Sequence, residues 1–398
     1  MKLMPQLTAL ALAVGAAGPL ARQSSPFPAF ERHRIDAIGS HLGQTALADI
    51  DKDGDLDWVA GTADRAGGTI WWWEYRGPGE WVRHVLGTGN TDVGGALHDV
   101  NGDGWLDMLS GSRLLLNTGR PRMEPFRGFD VGTINSHDTI FAEIDGDRRM
   151  DAVANSDQTG LFWYSIPSDP TRPWLPHTIA TAAQHKVHGG IAPRGAGDVD
   201  GDGDTDVVTA SAWYENTDGK GRTWQVRRTL DFGTEDKYGV AVRSWLIDLD
   251  GDGDLDLVQT EADARDGRLA WFENDGRGRW TRHVIRDRGR QQDFHALVVA
   301  DFDNDGDADI FSGTAPLTAL GRHGCYIWEN TAAAGQRALP SLWREHLVAQ
   351  MPCHEPAGGD VDGDGDVDIA CKPWSTGNEH VYLRNLLNDS RRNVRVTP

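Results

Sequence analysis

An acidic nine-residue phrase of the form D-x-D-x-D-G-D-x-D recurs seven times along the chain. The copies start at Asp49, Asp99, Glu143, Asp198, Asp248, Asp301 and Asp360, at spacings of 50, 44, 55, 50, 53 and 59 residues. A repeat of this period confines the chain to architectures in which one small unit is stacked or ringed many times. The phrase also implies a ligand. Alternating carboxylates that end at a tight glycine turn offer oxygen to a hard cation, and so many like charges held together need one.

The first six positions match an EF-hand loop, but that motif needs a Glu at position 12 and flanking helices. Position 12 here is Ala60, Ser110, Ala154, Thr209, Gln259, Ser312 or Cys371. The flanks are β-rich, so each phrase reads as a hairpin loop between two short strands. The calcium-ligand candidates of copies one and two are Asp49, Asp51, Asp53, Asp55 and Asp57, then Asp99, Asn101, Asp103 and Asp107. Copies four and five supply Asp198, Asp200, Asp202, Asp204 and Asp206, then Asp248, Asp250, Asp252, Asp254 and Asp256. Copies six and seven supply Asp301, Asp303, Asp305, Asp307 and Asp309, then Asp360, Asp362, Asp364, Asp366 and Asp368. The third copy, Glu143 to Asp151, has lost its glycine and gained Arg148 and Arg149. Two guanidinium groups can neutralise carboxylates where a cation would sit. The expectation is about six structural calcium ions, with the third copy empty.

After each phrase comes an aromatic strand such as Trp213-Tyr-Glu-Asn216 or Trp271-Phe-Glu-Asn274, then a strand of the type Trp280-Thr-Arg-His-Val-Ile285. A unit therefore reads strand A, acidic loop, strand B, strand C, strand D, and helical periodicity is absent. Four short strands per unit make a propeller blade. The last unit lacks a D strand, whereas Phe30-Glu-Arg-His-Arg-Ile35 copies the D pattern ahead of the first phrase. Lending it to the last blade pairs an otherwise open edge. The expected fold is all-β: a seven-bladed propeller, four antiparallel strands per blade, closed by the N-terminal strand.

The acidic phrase and its A-B-C-D setting resemble the FG-GAP/VCBS repeats of secreted propellers and of the integrin α-chain head. The resemblance covers roughly residues 30–386. Within that group, the Trp-Tyr-Glu-Asn and Trp-x-Arg-His-Val-Ile strands are similar to those of extracellular bacterial and fungal propellers, some of which are carbohydrate lyases or sugar dehydratases. Fold and calcium follow closely from such a motif; activity does not, because one fold hosts many functions.

Residues 1–21 carry Lys2, an apolar run from Leu7 to Ala17 and small residues beyond it, the pattern of a secretory signal cleaved after Ala17 or Ala21. Residues 22–29 then read as a linker, 30–386 as the propeller and 387–398 as a tail. No other stretch could span a bilayer, so the expectation is a secreted or periplasmic monomer. Asn388-Asp-Ser390 is a sequon, meaningful in a eukaryotic host. The seven phrases hold 32 of the 60 Asp and Glu residues; removing them turns the formal net charge from −21 to +11. The acidity is thus mostly ligand charge, and nothing marks a nucleic-acid partner. Three cysteines do not make a disulfide scaffold. Cys325 and Cys353 fall on one face, which brings a Cys325–Cys353 bridge into consideration and would leave Cys371 a buried thiol.

Residues just before strand A should ring the mouth of the central channel, opposite the acidic loops. His137, His295 and His354 each lie six residues before a phrase; His188 and Tyr238 lie ten before, and His41 eight before. Glu355, Lys372 and Trp374 join them in blade seven, Lys186 and Arg194 in blade four, and Arg243 in blade five. Imidazoles, a phenol, cations and an aromatic plate suit an acidic sugar. The matching reaction class is elimination, with His354 and His137 as base and acid, Tyr238 as a further proton donor, and Arg243 and Lys372 as charge stabilisers. His188, His295, Trp374, Lys186, Arg194, Glu355 and His41 would line the substrate. Two other readings stand beside it. One is a non-catalytic module that binds glycan or an extracellular protein through the same face. The other is a metal-dependent enzyme holding Zn2+ or Mn2+ at the channel histidines. The recurring strand-D histidines His84, His177, His283 and His346 read instead as packing residues.

Overall fold

The computed structural model describes residues 27–389 apart from 65–66, 90–93, 134–135, 186–187, 237–238 and 333–339. The expected signal segment and Ser390 of the sequon lie outside these residues. Seven small antiparallel sheets follow one another in a ring. Blade one comprises Leu42–Ala48, Asp57–Thr62, Gly68–Gly77 and Glu80–Gly89; blade two, Gly95–His98, Asp107–Ser110, Arg113–Leu116 and Arg127–Asp130. Blade three comprises Asp138–Ala142, Asp151–Ser156, Gly160–Tyr164 and Pro176–Thr181; blade four, Ala196–Gly197, Asp206–Val208, Trp213–Asn216 and Trp224–Arg227. Blade five comprises Val242–Ile247, Asp256–Glu261, Leu269–Asn274 and Trp280–Arg286; blade six, Val298–Ala300, Asp309–Gly313, Cys325–Asn330 and Trp343–Ala349. Blade seven takes His354–Gly359, Asp368–Lys372 and Glu379–Asn385, and its fourth strand is Phe30–Ala37, paired antiparallel with Glu379–Asn385. This is the seven-bladed propeller expected, closed by its N-terminal strand. Among the described residues the only helical turn is Pro340–Leu342, and no helix is long and apolar enough to cross a membrane.

Every acidic phrase joins strands A and B, and its register is constant. The residue before the phrase pairs with position nine, as Ala48 does with Asp57 and Ile247 with Asp256. Position nine also holds the blades together. Its buried carboxylate accepts the N–H of position two (Leu249 to Asp256, 3.1 Å) and the N–H of the strand-C asparagine (Asn274 to Asp256, 2.8 Å). That asparagine then donates to the preceding blade: Asn274 to the Val199 carbonyl at 2.7 Å, Asn216 to Ile144 at 2.9 Å, Asn385 to Phe302 at 2.8 Å. A buried amide–carbonyl bond of this kind contributes about 1 kcal/mol, and losing one partner costs about 1–3 kcal/mol.

The strand-D histidines pack as expected. His84, His177 and His283 stack on Trp72, Trp163 and Trp271 with ring centroids 4.4, 4.3 and 4.6 Å apart, while His346 stacks on Phe27. Blade four is thinner than the rest. Pro193–Arg194, just ahead of it, pairs in parallel with Ser244 and Trp245 of blade five. Strand-A residues around Ala46, Ala96, Ile140 and Ala357 line a central cavity of about 520 Å3, to which Arg243 and Glu355 also contribute.

Candidate functional site

The acidic loops are organised by their first carboxylate. Gly251 and Asp252 donate to Asp248 Oδ1 at 2.8 and 3.1 Å, and Gly253 donates to Oδ2 at 3.1 Å. Gly253, at φ 98°, takes a backbone conformation that L side chains rarely adopt. Folding the loop this way gathers carboxylates. Ligand oxygens of Asp49, Asp51 and Asp53, of Asp198, Asp200 and Asp206, and of Asp248, Asp250 and Asp256 lie within 4.8 Å of one another in each set. Asp200 Oδ1 and Asp366 Oδ1 are buried without a hydrogen-bond partner. Burial and neighbouring carboxylates push Asp57 up to about 8 and Asp309 up to about 9. A hard cation fits this donor set, in which anionic oxygen outnumbers the available donors.

The arginines are not where the sequence suggested. Arg148 takes the left-handed turn position, at φ 69°. Arg149 donates to the Ile166 carbonyl at 3.2 Å. Their backbone N–H groups donate to Glu143 and Asp147 at 3.3 and 2.7 Å, but among the described residues neither guanidinium pairs with a carboxylate of the third phrase, and Glu143, Asp145 and Asp151 still gather within 4.8 Å. Guanidinium enters two other loops instead. Arg122 reaches Asp51 at 2.7 Å and Asp53 at 2.5 Å; Arg384 reaches Asp362 at 2.5 Å and Asp364 at 3.2 Å. Arg384 stands where blade five has Glu273, one residue before the strand-C asparagine, so the substitution places a cation directly over the loop.

At the other end of the strands, side chains from blades three to seven converge. Asp138 is the anchor. Its Oδ2 accepts the N–H groups of Gly190, Ile191 and Ala192 at 2.8, 3.2 and 3.2 Å, and its Oδ1 lies 3.0 Å from His137 Nδ1 and 3.3 Å from Arg243 Nη1. Arg243 continues to Glu355 at 3.0 Å, and Glu355 lies 3.6 Å from Lys372 Nζ. Lys372 Nζ is 3.0 Å from His354 Nδ1 and donates to the Leu42 carbonyl. His354 stacks on His295 at 4.0 Å and lies tilted against Trp374 at 4.9 Å, and His41 meets the edge of Trp374. His137 packs against His188 at 4.2 Å; His188 lies 2.6 Å from Asp157 and 3.6 Å from Asp263, which is 3.3 Å from His295. His295, His354 and Glu355 bring ligand atoms within 4.8 Å of one another. His295 Nδ1 is buried and has no hydrogen-bond partner.

These surroundings push the two proposed proton-transfer histidines apart. Burial disfavours charge on His137, but the Asp138 hydrogen bond and the carboxylates of Asp157 and Glu355 overcome it and push the imidazole up to about 9. Burial, with the cations of His295, Lys372 and Arg243, holds His354 well below the usual imidazole range. Burial brings Lys372 down to about 8. Burial opposes ionisation of Asp138, yet Arg243 and His137 hold its carboxyl well below the usual range. Groups whose surroundings separate their protonation in this way can serve as acid and base in one site.

Blade seven supplies a correction. The bridge is Cys353–Cys371, and Cys325 is a free buried thiol. The pairing of strands A and B explains it. His354 pairs with Lys372, and a bulge between His354 and Ala357 shifts the register. The disulfide therefore lies beside the two residues that carry the site, whereas Cys325 pairs with Ala349 in blade six.

Of the candidates, His137, His188, Arg243, His295, His354, Glu355 and Lys372 come together, with Trp374 and His41 at their edge. Arg194 is exposed, on the short segment beside Trp245. Lys186 and Tyr238 lie outside the described residues. Sequence reasoning missed Asp138, Asp157 and Asp263. Asp138 neighbours a flagged histidine, and the other two follow strand B closely, but each acts through a loop of another blade.

The FG-GAP-like repeat family matches residues 46–110 and 248–312, which run from the end of strand A of blade one into blade two and from the acidic loop of blade five into blade six. No curated protein sequence matches the chain. Among solved structures, the fold is similar to a lectin of Agrocybe aegerita described for specific recognition of non-reducing terminal N-acetylglucosamine. The two share 19% identity at a TM-score of 0.54, over 88% of this chain and 86% of that one. A weaker similarity, 14% identity at a TM-score of 0.42, joins 90% of this chain to 15% of a chain of the Photorhabdus luminescens Tc holotoxin pore. Seven four-stranded blades, each with an acidic A–B loop, and the matched segments make the chain a seven-bladed β-propeller that carries FG-GAP-like repeats.

Proposed function

We propose that this is an exported, calcium-stabilised propeller that acts on acidic carbohydrate by elimination at the channel mouth. The observation that carries the reading is the convergence of His137, His354, Arg243, Lys372 and Glu355 onto one buried network, with Arg243 and Lys372 each at an offset where no other blade has a cation. Packing residues in a repeat protein recur with the repeat, as Trp271 and His283 do; the two cations do not. In the proposed reaction neutral His354 removes the proton α to a uronate carboxyl. The C–H electron pair becomes a C=C bond as the β C–O bond breaks, and the His137 imidazolium protonates the departing oxygen. Arg243 and Lys372 hold the carboxylate as negative charge builds on it.

Six loops would hold Ca2+ through the Asp and Asn residues named above. The third loop would stay empty because it has lost the turn glycine and carries the cationic Arg148 and Arg149 in its place. A transition metal, Zn2+ or Mn2+, would take His295, His354 and Glu355, and His295 Nδ1 supports that variant; metal analysis after mild chelation that finds calcium alone removes it. The test of the main reading is ultraviolet absorbance of the calcium-loaded protein with a panel of uronic-acid polysaccharides. A rising trace reports a new conjugated C=C bond.

One observation favours a second reading, a glycan-binding module without turnover. The central groups are nearly all buried and satisfy one another, with Lys372 fully inaccessible. The similar Agrocybe aegerita lectin recognises a sugar terminus. This reading predicts saturable glycan binding with a flat absorbance trace.

A further inference from the structure

A second cavity, of about 230 Å3, opens between blades five and six on the same face as the channel mouth. It is lined by Arg290, Gln292, Arg322, His323 and Tyr326, with Leu347 at its edge. Behind it lies Arg286, only 7% exposed, over the face of Phe294 and within electrostatic reach of Arg290 and Tyr326. Arg286 Nε and Nη2 are buried and donate to nothing in the protein. Those two nitrogens form the side-on fork of a guanidinium, the pair that presents parallel N–H bonds to one carboxylate. Leaving them unmade is costly for a buried cation.

The nearby acids do not satisfy it. Glu345 pairs with Arg290, and the Asp266 carboxylate accepts the N–H groups of Gly289, Arg290 and Gln291 at 2.8–3.1 Å. Gln292 is fixed by donating to the Arg322 carbonyl at 2.8 Å and to Tyr326 Oη at 2.7 Å, yet its Oε1 is buried without a donor. The cavity lining thus offers the guanidinium groups of Arg290 and Arg322 for an anion and the Gln292 side chain for a hydroxyl, with the unmade fork of Arg286 behind them. It is smaller than a drug-sized pocket and suits a single ring.

We propose that this cavity is a binding site for one uronic-acid residue, its carboxylate held by Arg286 and Arg322 and a hydroxyl by Gln292 Oε1. Burial and the neighbouring Arg290 both disfavour charge on Arg286, which an anion in the cavity would relieve. The site stands apart from the channel mouth and does not need the elimination reading to hold.

The test is calorimetric titration of the calcium-loaded full chain with D-glucuronate, using glucose and inorganic sulfate as comparison probes. Saturable glucuronate binding, weakened about ten-fold or more in Arg322→Ala and in Arg286→Lys, with no glucose binding and weaker sulfate binding, is the expected result. Arg322 is exposed, so its variant keeps the test sound should Arg286→Lys fail to fold. No saturable glucuronate binding overturns the proposal. Sulfate binding as tight as glucuronate removes the sugar from it. Binding that survives Arg322→Ala but disappears in His354→Ala assigns the ligand to the channel mouth and overturns it as well.

Discussion

The two faces of the propeller use charge in opposite ways. On the acidic-loop face, carboxylates crowd together at fixed positions, and burial pushes the position-nine groups up, Asp256 to about 7 and Asp309 to about 9. On the channel-mouth face the central carboxylates meet cations of the protein, Asp138 with Arg243 and Glu355 with Arg243 and Lys372, and Asp157 lies against His188. One face asks for positive charge from outside; the other is balanced from within. The first has its design written seven times. The second is assembled from loops of unequal length and has no repeat to follow.

The contrast can be broken from either side. Chelating calcium should have the largest effect. At a free ion level ten times the dissociation constant, each site adds about 1.4 kcal/mol, so six sites together add roughly 8 kcal/mol. EGTA should therefore lower the melting temperature by ten degrees or more in a thermal scan; an unchanged melting curve would mean the loops do not bind the ion. On the other face Asp138→Ala removes the acceptor of three backbone N–H groups, one of the two carboxylates that meet Arg243, and the hydrogen-bond partner of His137. It should cost about 3–5 kcal/mol in urea unfolding, with or without calcium.

The pH dependence sharpens the same comparison. His137 is raised in the folded state, so its contribution is fully present below its unfolded value near 6.5 and is lost as pH rises through about 9. In saturating calcium, stability should fall between pH 6.5 and 9, by roughly 3 kcal/mol at most. His137→Gln should flatten that slope. The smallest effect is expected at the blade staple, where Asn274→Ala should cost about 1–3 kcal/mol and leave the mouth untouched.

Much of this architecture can be read from residue spacing, because a blade is a local object. Strand order, loop position and even the N-terminal strand follow from patterns within one unit. The mouth is only half legible. His137, His295 and His354 sit at a constant offset because strand A starts at a constant offset. Asp263, at φ 52°, reaches His295 through a backbone conformation that sequence does not announce for an aspartate. The cysteine pairing fails for a related reason: a one-residue bulge at Glu355–Pro356 decides what Cys353 meets. The arginines mislead because charge near a loop in sequence is not charge over it in space. Arg122 arrives from blade two and Arg384 from strand C, while Arg148 and Arg149 lie within a loop and touch its carboxylates through backbone N–H alone.

The central claim is that the mouth does chemistry while the loop face holds the ring together. It is tested most directly by following absorbance with the responsive uronic-acid polysaccharide, in saturating calcium at 25 °C, for three proteins side by side. The account predicts that Asn274→Ala, though less stable, turns over within about two-fold of the unaltered chain, while His354→Ala falls about a hundred-fold or more. A His354→Ala protein that keeps its rate, or an unaltered chain that gives a flat trace across the panel, would contradict it.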